Sequence, residues 1–213
     1  FKTAISPDFA SDVEAAVQYL KTRKEIDKKK RGLIGHSEGG IIAPMVAAGS
    51  KDISFIVLLA GTGVPGNEIL LLQQELIGRA NGASEAELLK SKLMNKGAFD
   101  IIINTVDNSK RKADLSTYLN QVYEQDTTLE IPQGMTKDEL ISKQVSQLTS
   151  PWMVYFITHD PAPVLQKVKC AVLAVNGDKD LQVPAQVNLD AIKKALEKKK
   201  KKKVTTRVFP GLN

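Results

Sequence analysis

Cysteine is nearly absent from this chain of 213 residues: Cys170 stands alone. A lone cysteine excludes an intrachain disulfide and a structural zinc site built on cysteines. Histidine is almost as scarce, with only His36 and His159. No H-E-x-x-H helix or other paired-ligand spacing occurs, so neither a metal nor a cofactor is expected. No apolar run approaches the ~20 residues that a membrane span needs. Aromatic residues make up 5% of the chain, and none interleaves the basic run 198–203, so base stacking on that run is excluded. The net charge of +6 rests on those six consecutive lysines. A short charge run between a helix-like and a strand-like segment reads as a solvated connecting loop, with no nucleic-acid partner implied. An initiator methionine is missing as well. The chain starts at Phe1, and its first residues read as the middle of something, so the natural start is expected upstream.

What is present is ordinary for a globular protein: 42% hydrophobic and 25% charged residues. The length suits one domain, or one domain carrying a large insertion. Residues 8–21 place Phe9, Val13, Ala16, Val17 and Leu20 at helical spacing, with Ser6 and Pro7 as a capped start. A short buried strand centred on Leu33 and Ile34 comes next, then a helix over 41–48 with Pro44 inside it. Residues 53–60 form a nearly continuous apolar strand, as in parallel sheets buried on both faces. The glycine-rich stretch 61–66 follows that strand but matches neither dinucleotide nor P-loop spacing.

Strand signals then vanish from about 67 to 160. Ser84 with Glu87, and Thr136 with Glu139, spell capping boxes. Leu115, Tyr118, Leu119 and Val122 line a helix face, and Trp152, Tyr155 and Phe156 cluster near the end. Residues 168–175 return to strand pattern, Val183 and Pro184 open another helix, and 204–209 is a last strand. Alternation of strands and helices predicts an α/β fold with a doubly wound, mostly parallel sheet. Three parts are expected: core over 1–66, a helical insertion over 67–160, and core over 161–213.

The stretch 35–40, Gly-His-Ser-Glu-Gly-Gly, sits between strand and helix. G-x-S-x-G in that setting is a nucleophile elbow, with Ser37 lifted clear of the sheet and Gly35, Gly39 and Gly40 removing bulk around it. A serine hydroxyl needs a base and an acid to orient that base. On elbow folds these follow in the order serine, acid, histidine. Asp178 and Asp180 both qualify as the acid. His36 adjoins Ser37 on a tight turn and is expected to pack or hydrogen-bond near the sheet. His159 precedes both aspartates and breaks the order. The backbone N–H of Glu38 is the expected oxyanion donor.

Together, 35–40, Asn-Gly-Asp-Lys-Asp-Leu-Gln-Val-Pro at 176–184 and Phe-Pro-Gly-Leu-Asn at 209–213 resemble the α/β-hydrolase superfamily, nearest to bacterial esterases and acyl-peptidase-like serine hydrolases. The resemblance implies that Asp180, three residues after the glycine of the second motif, is the acid. It implies that the catalytic histidine would follow Asn213 and that the chain is truncated at both ends, so that the 213 residues alone are inactive. It also makes 67–160 a lid. The implied activity is hydrolysis of a small-molecule carboxylic ester through an acyl-enzyme without a cofactor. A peptidase or thioesterase on the same machinery, or a catalytically silent binding protein, are the alternatives.

Overall fold

The computed structural model describes residues 3–126, 128–198 and 203–213. The centre of the lysine run, 199–202, and its reading as a solvated loop lie outside the described residues. Among the described residues four strands form one parallel sheet in the order β1 (Gly32–His36), β2 (Phe55–Leu59), β3 (Ala171–Gly177) and β4 (Val204–Phe209). The helices are α1 (Ser6–Thr22), α2 (Gly39–Gly49), α3 (Gly66–Ala80), α4 (Glu85–Asn104), α5 (Asn108–Gln125), α6 (Lys137–Leu148), α7 (Pro151–Thr158), α8 (Ala162–Leu165) and α9 (Ala185–Glu197).

Helices α1, α2, α8 and α9 bury one face of the sheet. Ala10 and Val17, Ala43 and Val46, Leu165, and Leu189 and Ile192 pack with Ile56, Leu58, Val172 and Ala174 in a single cluster. Side chains alternate along a strand, so the neighbouring positions point the other way. Ile34, Val57 and Leu173 are register partners on that second face. Ile34 is 71% exposed and Leu173 37%. The expected burial of β1 and β2 on both faces is therefore corrected. Among the described residues the helices that meet the sheet share one face, and β1 is an edge strand.

Six helices, α3 to α8, separate β2 from β3. The first five have a core of their own in which Phe99, Ile102, Leu115, Leu119, Ile141 and Ile157 are buried. The capping boxes form as spelled: the Ser84 and Thr136 hydroxyls accept from the Glu87 and Glu139 N–H groups, and each glutamate accepts from the cap's own N–H. Ile41 of α2, Val64, Ile69 of α3, Phe156 of α7 and Val183 make the seam between these helices and the sheet. The α1 start departs from expectation. Ile5 is the cap residue, its N–H donating to Asp8 at 2.8 Å. Ser6 lies inside the helix, fully buried, and donates to Glu38.

The two sheet faces predict unequal costs. Leu58→Ala should destabilise by about 2–5 kcal/mol, as for other buried leucines. Ile34→Ala should fall within about 0.5 kcal/mol, as at exposed sites. Urea denaturation of both variants checks this, and equal losses would contradict the one-sided burial.

Candidate active site

Ser37 has φ 53°, one of two positive values at non-glycine residues among the described residues, the other being Ala60 at 48°. A non-glycine residue held there stores of order 1–3 kcal/mol of strain. Both residues lie just past strand ends. The Ser37 N–H donates to the Leu59 carbonyl and the Ala60 N–H to that of Val175, at 3.0 and 2.9 Å. The two kinks are thus clamped to neighbouring strands.

Close backbone approach explains two of the three glycines. A methyl group on Gly35 would collide with the Gly39 carbonyl, and one on Gly40 would lie 2.5 Å from the Gly61 Cα. Gly39 has open space where a side chain would go, so the expectation that it too removes bulk is corrected. Packing also accounts for the glycines after β2. A side chain on Gly63 would strike the Asn188 carbonyl. The buried Asn188 accepts from the Gly63 N–H through Oδ1 at 2.8 Å and donates through Nδ2 to Pro184.

Ser37 and Asp180 line one cavity of about 380 Å³, together with His36, Leu59, Ala60, Val183, Phe209 and Leu212 among others. Asp180 Oδ1 accepts from the N–H groups of Gln182 and Val183 at 2.8 and 2.9 Å. Asp178 is not among the cavity walls; its Oδ1 accepts from Gly211 N–H at 2.7 Å. The two aspartates thus hold different things: Asp178 ties down the turn after β4, and Asp180 sits on the cavity. Asn176, buried beneath the loop, donates to the Val183 carbonyl at 2.6 Å and accepts from Gly177 N–H at 2.8 Å. Lys179 N–H donates to the Leu212 carbonyl at 2.8 Å.

His36 is exposed at the cavity lip. This corrects the expectation that it packs or hydrogen-bonds near the sheet, and the one-sided cover of β1 is the reason. Among the described residues it makes no hydrogen bond with Ser37. His159 ends α7 away from the cavity walls, its ring stacked on Tyr155 and its Nδ1 3.2 Å from the Tyr155 hydroxyl. Burial holds its imidazole below the ordinary 6.5, against the opposing charge of Asp160.

The N–H of Glu38, at the head of α2, has no acceptor among the described residues and so is free to donate. The Glu38 side chain accepts from Ser6 Oγ and from Trp152 Nε1, both at 2.8 Å. No spacing signal could have linked Glu38 to a tryptophan 114 residues away. Among the described residues no three His, Cys, Asp or Glu side chains gather as metal ligands, and no helix is long and apolar enough to cross a membrane.

Solved structures share the fold. A hypothetical protein from Pseudomonas aeruginosa superposes over 99% of this chain and 62% of its own, with TM-score 0.50 and 11% identity. The chain has the α/β-hydrolase fold. A carboxylesterase from Nitrososphaera gargenis matches at TM-score 0.48 and 18% identity over 99% of this chain and 65% of that one. Acetyl xylan esterase 1 from Thermoanaerobacterium matches at 0.46 and 15% over 94% and 45%. The chain thus spans 45 to 65% of these three proteins' lengths. A family model described as BAAT / acyl-CoA thioester hydrolase C terminal matches residues 13–116. No curated protein matches the sequence.

Two predictions follow from these contacts. Gly40→Ala should destabilise by about 1–3 kcal/mol through overpacking against Gly61. Gly39→Ala, in open helical space, should be neutral or stabilising by up to about 1 kcal/mol. Equal chemical-denaturation midpoints for the pair would refute the close-approach account. For His159, the folded pKa lies below the unfolded one. Stability is then full above about 6.5 and is lost as pH falls from there through the folded value. His159→Gln should show a smaller drop in urea midpoint between pH 7.5 and 5.5 than the parent; an unchanged drop would discard the assignment.

Proposed function

We propose that this chain carries the nucleophile, the acid and one oxyanion donor of a serine hydrolase that cleaves carboxylic esters through an acyl-enzyme. One observation carries the reading: Ser37 is a non-glycine residue at φ 53° between strand and helix, on the same cavity as Asp180. Ser37 Oγ attacks the ester carbonyl carbon while a histidine base takes its proton. Negative charge gathers on the carbonyl oxygen, where the Glu38 N–H at the α2 N-terminus can receive it. The tetrahedral centre collapses, and the alcohol leaves with the proton from the base. Water, activated by the same base, then releases the acid and restores Ser37. Asp180 orients the base, using the carboxylate oxygen left over by Gln182 and Val183.

Neither histidine of the chain suits the base. His36 adjoins Ser37 without bonding to it, and His159 is off the cavity. In this reading the base is a further imidazole placed at the cavity edge, near the Leu212 turn that docks on the acid loop. The 213 residues alone should then turn over little ester. The helices α3 to α7 act as a lid in the same reading, since their seam with the sheet includes Val183 of the cavity wall.

The family match over 13–116 supports a second reading, a thioester substrate handled by the same groups. Rates on short-chain nitrophenyl esters and on acyl-CoA thioesters separate the two. In the native protein a fluorophosphonate probe should label Ser37, and Ser37→Ala should abolish labelling. Asp180→Asn should lower ester turnover by about 10³-fold or more, whereas Asp178→Asn should not approach that loss. An unlabelled Ser37, or Asp178 as the costlier change, would overturn the assignment.

A further inference from the structure

The Glu38 side chain has a use that the reaction above does not require. It follows the nucleophile directly, so its carboxylate stands one residue from the developing oxyanion. A negative charge free to swing toward that oxyanion would oppose it, the more so in a dry site. In the structure Glu38 Oε1 instead receives two neutral donors, Ser6 Oγ from α1 and Trp152 Nε1 from α7. No cation pairs with it among the described residues. Trp152 is in turn stacked on the buried Phe156, ring centroids 5.3 Å apart. Phe156 joins the seam that binds the inserted helices to α2, and its carbonyl sits against Gly66 of α3.

We propose that the Glu38 carboxylate is a positioning residue: it latches α7 of the inserted helices and the start of α1 to the nucleophile elbow, holding its own charge away from Ser37. The proposal rests on the serine-hydrolase reading for its catalytic consequence, though not for the latch itself. Glu38 binds no substrate here. It acts through the Ser37–Glu38 peptide, whose N–H faces the oxyanion, and through Trp152, which fixes where α7 lies.

Trp152 is the only tryptophan, so its fluorescence reports the latch directly. In Glu38→Ala, amide exchange in α7 should accelerate about tenfold or more, the worth of a hydrogen bond to a charged group. Acrylamide should also quench Trp152 more strongly. Glu38→Gln, which keeps an acceptor for both donors, should restore most of the protection. In the native protein, Glu38→Ala should slow fluorophosphonate labelling of Ser37 about tenfold or more at saturating probe, with the half-saturating probe concentration nearly unchanged. Trp152→Phe should do the same, and the double variant should be no slower than either single one. Should Glu38→Ala fail to fold, Trp152→Phe and Ser6→Ala carry the labelling and exchange tests. Unchanged exchange and quenching in Glu38→Ala would overturn the latch. Additive losses in the double variant would overturn the coupling between the two residues. An unlabelled wild-type Ser37 would instead sink the parent reading, while exchange and quenching would still judge the latch.

Discussion

Gly40 and Gly61 touch where α2 leaves β1 and the chain leaves β2, and the strained turn at Ser37 depends on that contact. Without a side chain on either glycine, the helix start can lie against the next strand's exit. The Ser37 N–H can then reach the Leu59 carbonyl, and the backbone at Ser37 is held left-handed. Strain of this kind persists only where the surroundings over-determine it. Here they do so twice over. Gly35 lets the turn fold back onto Gly39, and Asn188 holds the loop after β2 by its Gly63 N–H. A buried asparagine in α9, far along the sequence, thus supports the geometry of a serine in the first third of the chain.

That dependence runs outward into helices α3 and α7. The sheet's covered face and the seam of α3 and α7 meet at α2: Ala43 and Val46 belong to the first, Ile41 to the second. One helix therefore carries the elbow, packs on the sheet and packs against α3 and α7. Glu38 at its head adds polar ties to α1 and α7. The elbow and α7 thus share both an apolar seam and a hydrogen-bonded carboxylate.

Local chemistry in the sequence spoke for much of this. The parallel sheet shows in the alternation of strand and helix patterns, and the two capping boxes and the glycine-flanked serine are set by neighbours within a few residues, so spacing reveals them. What depends on the third dimension was not legible. Ser6 looks like a helix cap, because serine before proline usually is one. Its hydroxyl goes instead to Glu38, 32 residues away, and the cap falls to Ile5. Ile34 reads as buried because it is apolar in a strand, yet its face of the sheet is open. Gly39 reads as necessary because it sits in the motif, yet nothing crowds it. The two aspartates of the 176–184 loop are alike in sequence, and only their partners separate them.

Those partners show how the site gains precision from the scaffold. Asp180 is aimed by two backbone N–H groups of its own loop, and that loop is pinned below by Asn176 and on its flank by the turn after β4. None of these bonds uses a flexible charged side chain as the donor, so little rotamer entropy opposes them. The turn at Ser37 follows the same rule, its position fixed by backbone bonds and bare glycine contacts. Sites mounted on rigid elements in this way hold their geometry more closely than sites on free loops. Glu38 is the exception that tests the rule. It is a longer side chain, held by Ser6 and Trp152 together. An elbow otherwise fixed by backbone contacts thus has one side-chain contact that reaches helix α7.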